Sequence, residues 1–173
     1  MKKIIDVTCG SKMMWFDKNH PEVIYTDKRK GRFEAYGKTT IIDPDIQVDF
    51  KNLPFKNEVF YLVVFDPPHS KWLNENTILG QKYGQLFSDW KTEIKSGFDE
   101  CMRVLKPNGI LIFKWNDKDI KLNTLLEVIG ENPLFGHPTG KQGKTIWMTF
   151  MKKQNCLGTA GKEVRGVCEA VED

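Results

Sequence analysis

The sequence predicts an α/β domain in which a mostly parallel central sheet, completed by a C-terminal antiparallel hairpin, carries helices on both faces. Three observations point there. Short apolar runs of strand length alternate with stretches of helical periodicity, the pattern that gives parallel strands joined by right-handed crossovers. The run Phe60–Phe65 carries no charge or small polar residue, so both its faces need cover, as in a central parallel strand. Four strand candidates also close on an aspartate (Asp6, Asp27, Asp49 and Asp66), and ligands of such sheets bind beyond the carboxyl ends of the strands.

The elements follow in order. Residues 3–7 form the first strand, with a helical turn expected at 13–16 and a second strand at 23–25 that closes on Asp27. Gly31 and Gly37 punctuate an excursion over 28–40 that reads as a hairpin. Residues 46–48 make the third strand and Phe60–Phe65 the fourth, which Pro67 and Pro68 stop because proline has no N–H for the ladder. Trp90, Ile94, Phe98, Cys101, Met102 and Leu105 recur at helical spacing behind Ser88 or Asp89 as the cap. A turn at 106–109 leads into a buried strand at 110–113. A helix over Leu122–Ile129 is closed by Gly130, and the final hairpin pairs 134–136 with Thr145–Met151. The domain is thus expected over 1–152. Residues 153–173 form a weakly patterned tail, in which Val164, Cys168 and Val171 suit at most a short helix.

Bulk properties narrow the class. A chain of 173 residues has room for one real core. No run approaches the ~20 apolar residues that span a bilayer, and Asp6 interrupts the N-terminal apolar run too early for a signal peptide. A cytoplasmic protein without a membrane role is therefore expected. Cys9, Cys101, Cys156 and Cys168 contain no C-x-x-C pair, so neither a metal site nor a redox dithiol is signalled. The formal charge of +3 permits nucleic-acid contact without arguing for it. Oligomeric state is left open.

Chemistry concentrates at the strand ends. In Asp6-Val7-Thr8-Cys9-Gly10-Ser11 a glycine turn lets backbone approach a ligand. Asp27 follows at about the 20-residue spacing from which a carboxylate meets ribose hydroxyls in Rossmann folds. Asp49 and Phe50 offer a polar group and an aromatic face to an adenine, although Phe50 also suits core filling beside Leu53 and Phe55. Asp66-Pro67-Pro68-His69 is the most specific signal. Two prolines fix the backbone and expose carbonyl acceptors, so Asp66 and the Pro67 carbonyl can hold both hydrogens of an –NH₂ group, with His69 stacking on a flat substrate. Two insertions flank these motifs. Lys28, Arg29, Lys30, Arg32 and Lys38 surround Phe33 and Tyr36, a composition suited to phosphate contact with stacking or to a solvated charged hairpin. Residues 70–90 carry Trp72, Tyr83, Phe87 and Trp90 and suit a lid over the substrate.

With these residues in hand, the chain resembles the Rossmann-like S-adenosylmethionine-dependent amino-methyltransferases, in which an aspartate or asparagine, two prolines and an aromatic residue follow the fourth strand. Asp66, Pro67, Pro68 and His69 match, histidine standing where an aromatic is usual. Asp6, Gly10 and Ser11 match a first loop of the form D-x-F-x-G-S-G, with Lys12 replacing the last glycine. The likeness is strongest to small phage and prophage enzymes. It implies S-adenosylmethionine as cofactor, bound by Asp6, Thr8, Cys9, Gly10, Ser11, Asp27, Asp49 and Phe50. It implies methyl transfer at Asp66-Pro67-Pro68-His69 to a planar amino nitrogen, adenine or cytosine in DNA or RNA. Arg29, Lys30, Arg32 and Trp72 are the candidate substrate contacts, and no metal is implied. A protein glutamine amide is the alternative acceptor, and a non-catalytic binding protein of the same fold the alternative role.

Overall fold

Alternation of apolar and polar positions sets the strands of the computed structural model, which describes residues 2–35, 38–70, 80, 84, 86, 89–140 and 142–154. In chain order these form β1 (Ile4–Asp6), β2 (Val23–Asp27), β3 (Gly31–Ala35), β4 (Lys38–Ile42), β5 (Ile46–Gln47), β6 (Phe60–Phe65), α1 (Trp90–Val104), β7 (Leu105–Asn116), α2 (Leu122–Ile129), β8 (Phe135–Thr139) and β9 (Thr145–Met151). Seven strands make one sheet in the order β5-β2-β1-β6-β7-β9-β8. The pairs from β5 to β7 are parallel, while β9 runs antiparallel to both β7 and β8. This is the expected mostly parallel sheet with its C-terminal hairpin. The excursion at 28–40 is the expected hairpin, β3–β4, and forms a separate two-stranded sheet.

The period of two along each strand decides what the sheet buries. Val63 and Phe65 of β6, Leu111, Phe113 and Trp115 of β7, and Met148 and Phe150 of β9 join one core with Ile94, Phe98, Cys101 and Val104 of α1 and Leu125 and Ile129 of α2. The Phe98 ring meets Phe150 edge-on at 5.2 Å. The two helices touch one another and share that face. Near β1 and β2 a smaller cluster forms, where Trp15 from the preceding loop packs edge-on against Tyr25 at 5.4 Å.

Local details differ from expectation in three places. Residues 13–16 make turns and bends rather than a helical turn. Lys106-Pro107-Asn108-Gly109 lies inside β7 rather than before it. The register there jumps from Phe60↔Leu105 to Leu62↔Ile110, so the expected turn is an outward bulge with Asn108 at φ 62°. Trp90 is not part of a mobile cover: it is buried in the core at the start of α1, behind Asp89 as N-cap. Trp72, Tyr83, Phe87, Ser88 and the tail from 155 lie outside the described residues.

Candidate active site

The parallel strands deliver their aspartates to one edge. Asp6 ends β1, Asp27 ends β2 and Asp66 follows β6, while Asp49 comes just after β5. Asp6 is fully buried and accepts hydrogen bonds from Thr8 N at 3.2 Å and Trp15 Nε1 at 2.7 Å. Burial still dominates and pushes its carboxyl up to about 7, with Asp66 and Asp27 adding smaller repulsions. Thr8 turns its hydroxyl back to accept the Asp66 N–H at 2.8 Å, which ties the first loop to the fourth strand of the parallel set. Gly10 adopts φ 51° and donates its N–H to Asp27 Oδ2 at 2.8 Å. Lys12 also sits in the left-handed region, at φ 56°, a backbone that side-chain-bearing residues seldom adopt. Its ammonium rests 4.1 Å from the Tyr25 ring. The Cys9 thiol is buried and lifted far above its ordinary range by desolvation, so it is an inert wall rather than a nucleophile.

A cleft runs along these strand ends in two connected lobes that share Thr8, Arg29, Asp66 and Gly84. The first, about 250 Å³, is walled by Asp27, Asp49, Phe50 and Glu93. Phe50 lines the cleft, and its ring packs edge-on against Phe65 at 5.3 Å. Gly97 of α1 permits this, since a Cβ there would lie 2.5 Å from Phe50 Cδ2 and 2.9 Å from Phe65 Cζ. Asp27 is 2 % exposed and fully engaged. Oδ1 accepts from Arg29 N and Nε, both at 2.9 Å, and Oδ2 from Arg29 Nη2 at 2.9 Å besides Gly10 N.

The second lobe, about 350 Å³, is lined by Gly10, Ser11, Met13, Met14, Asp66, Pro67, His69, Lys114 and Thr145. Lys114 is the residue the sequence reading missed. Its Nζ lies 2.6 Å from Asp66 Oδ2 and 5.6 Å from the centroid of the Trp147 ring. Asp66 Oδ1 is buried and has no hydrogen-bond partner among the described residues. His69 Nδ1 stands 3.4 Å from the Pro67 carbonyl oxygen, and its ring meets Trp115 edge-on at 6.2 Å. Burial lowers the affinity of His69 for a proton, which favours the neutral ring. Ser70 donates to Asp119 Oδ2 at 2.9 Å and so fastens the chain after the motif to the segment after β7.

The cleft therefore gathers Asp6, Thr8, Cys9, Gly10, Ser11, Asp27, Asp49, Phe50, Asp66, Pro67, Pro68 and His69 at one edge, as lining residues or directly beneath them. The basic insertion is different. Arg29 belongs to the cleft, bound to Asp27, while Lys30 pairs with Asp43 at 3.0 Å and Arg32 with Glu34 at 3.2 Å on the separate hairpin. The acids Asp27 and Asp43 flank the insertion and partner two of its basic residues. Trp72 lies outside the described residues.

No family model matches the sequence, and none of the curated proteins does. Solved structures do match. The N-methyltransferase NodS from Bradyrhizobium japonicum is 11 % identical over 88 % of this chain and 86 % of its own, with a TM-score of 0.54. A TehB-like SAM-dependent methyltransferase from Corynebacterium glutamicum is 16 % identical over 88 % and 80 %, at 0.52. The 1,6-didemethyltoxoflavin-N1-methyltransferase of Burkholderia thailandensis, solved with S-adenosylhomocysteine, is 11 % identical over 87 % and 71 %, at 0.53. At such identities the likeness is one of fold: the chain has the Rossmann-like methyltransferase fold.

Proposed function

We propose that this protein is an S-adenosylmethionine-dependent methyltransferase acting on a planar amino nitrogen, adenine or cytosine in DNA or RNA. The observation that carries the reading is Asp66. It stands at the end of β6 before two prolines, in a cleft continuous with the Gly10 loop, and keeps one buried oxygen unpartnered among the described residues. A buried carboxylate oxygen without a donor costs on the order of 1–3 kcal/mol or more, which supports a donor supplied by the substrate.

The residues present suit the cofactor. Gly10, in a left-handed turn, keeps the wall of the cleft low, while Asp27 provides acceptors for ribose hydroxyls and Phe50 an apolar face for the adenine. When bound, the cofactor supplies an activated methyl group. Arg29 must yield part of Asp27 for those hydroxyls to be accepted. Asp66 then takes a hydrogen of the acceptor –NH₂ and the Pro67 carbonyl the other, which turns the nitrogen lone pair out of conjugation. Carboxylate and carbonyl also stabilise the positive charge that grows on that nitrogen. A neutral His69 stacks on the substrate without opposing that charge.

The test is transfer of radiolabel from the methyl group of S-adenosylmethionine to separate DNA, RNA and protein fractions. Label in nucleic acid, lost in Asp66→Ala, is the expected result. Label only in protein overturns the nucleic-acid acceptor and leaves the glutamine amide, which the same grip would hold. That outcome has a specific point in its favour, because Lys30 and Arg32 already have acidic partners. No label in any fraction overturns the enzymatic reading.

A further inference from the structure

We infer that Lys114 is a second recognition residue of the acceptor site, and that with Asp66 it selects an amino group whose carbon also bears a lone-pair heteroatom. The inference rests on the methyltransferase reading above and adds a specificity-determining residue to its site.

Phe65 and Phe113 are partners in the β6–β7 register, which brings the next residues, Asp66 and Lys114, alongside one another at the mouth of the cleft. On the other side Lys114 faces Trp147 across the β7–β9 pair. The ammonium is thus bracketed by a carboxylate 2.6 Å away and an aromatic face at 5.6 Å. Asp66 Oδ2 takes one of its three N–H donors, and others remain for the lobe that Lys114 lines. The Asp66 carboxylate turns easily about its last torsion, and its other oxygen lacks a partner among the described residues. Side by side the pair offers one acceptor and one donor.

The complement of that pair is –N=C–NH₂ or O=C–NH₂. The amino hydrogen meets Asp66, and the neighbouring nitrogen or oxygen meets Lys114. N6 and N1 of adenine, N4 and N3 of cytosine, and a carboxamide satisfy it, whereas an aliphatic amine or an aniline satisfies only half. A site that donates to a substrate atom rejects analogues lacking that atom more strongly than it rejects mere changes of size.

Single-turnover methyl transfer tests this with oligonucleotides carrying adenine or 1-deazaadenine, and cytosine or 3-deazacytosine, at the target base. The deaza bases keep the amino group and lose its neighbouring acceptor. Wild-type protein is expected to be slower on the deaza partner of its own base by 10- to 100-fold. Lys114→Met should be slowed on the parent base to about the deaza rate and show no further deaza penalty, with cofactor affinity unchanged. Lys114→Arg should restore part of the preference. If Lys114→Met does not fold, the same comparison in Lys114→Gln decides. A deaza penalty of equal size in wild type and variant, or none in wild type, overturns the inference while Asp66-dependent transfer still stands. Failure of wild type to label any of the four oligonucleotides overturns the nucleic-acid reading, and the inference then falls if Lys114→Met labels protein at the wild-type rate.

Discussion

Asp66 and Lys114 meet at 2.6 Å because Phe65 and Phe113 pair one residue earlier. The register that closes the core therefore also sets the charges of the site. In each strand the aromatic ring points toward α1 and the next side chain toward the cleft. A slip of one residue in either strand would exchange the two there and bury that strand's charge.

Asp66→Ala is expected to reduce methyl transfer by at least about 10²-fold, the scale set by removal of a preorganised transition-state contact, while cofactor affinity stays near wild type. Asp66→Asn should lose less, since its amide oxygen still accepts one hydrogen bond. His69→Tyr should keep activity if the ring only stacks. Single-turnover rates with parallel calorimetric titration of the cofactor check all three, and wild-type turnover in Asp66→Ala would remove Asp66 from the site.

Asp27 and Arg29 should act in opposite directions on the cofactor. Asp27→Ala removes the acceptors and is expected to weaken binding by on the order of 2–4 kcal/mol. Arg29→Met frees both oxygens from the guanidinium fork and should tighten binding several-fold. Calorimetry on the two variants separates a competitor from a helper: weaker binding in Arg29→Met would mean that the guanidinium itself contacts the ligand.

The buried Asp6 predicts a pH-dependent stability. Its carboxyl ordinarily titrates at 3.8 and in the fold at about 7. Between those values the native chain holds a proton that the unfolded chain has released, so stability falls as pH rises from about 4 to 7 and levels above that. The full effect is roughly 4 kcal/mol. Asp6→Asn cannot ionise and should flatten this part of the curve. Urea titrations from pH 4 to 8 measure it; equal slopes in the two proteins would show that Asp6 is not the group responsible.

Gly97→Ala should destabilise the fold despite alanine's better helix propensity. The new methyl meets the Phe50 and Phe65 rings, an overpacking of about 1–3 kcal/mol against a gain of about 1 kcal/mol. Because Phe50 also walls the first lobe, cofactor affinity should fall as well. A melting temperature equal to wild type would mean the rings move aside freely. Partial recovery in Gly97→Ala/Phe50→Leu would confirm the clash.

For the hairpin, neutralising Lys30 and Arg32 together should make the salt dependence of nucleic-acid binding less steep by roughly 2 in log–log slope if both meet phosphates. Their present ion pairs are exposed and so are weak enough to exchange for phosphate. Fluorescence anisotropy across salt concentrations measures the slope, and an unchanged value makes β3–β4 a solvated surface element.

Much of this was legible in the sequence where a pattern repeats. Apolar runs closing on Asp6, Asp27 and Asp66 gave both the strands and the edge where the cleft lies, because parallel strands must end on the same side. Gly130 stopped α2 at φ 73°, as its position suggested. Lys114 escaped notice because it sits in Leu111-Ile112-Phe113-Lys114-Trp115, whose apolar bulk reads as core. A single charge inside a buried run is nonetheless a signal, since alternation sends it to the opposite face from its neighbours. The Arg29–Asp27 fork was not readable: only the sharp turn after β2 brings the two residues together. Nor does the basic run at 28–38 announce Asp43, which only the folded hairpin places beside Lys30.

The two rims of the seven-stranded sheet bear on how the protein behaves at high concentration. One rim is β5, only Ile46–Gln47, too brief to template another chain. The other is β8, exposed along its whole length and bearing Phe135, yet interrupted by Pro138, which cannot donate to a newcomer strand. A sheet that would otherwise present a sticky border is thereby discouraged from growing sideways into polymers, and Pro138→Val should lower the concentration at which the folded protein begins to aggregate.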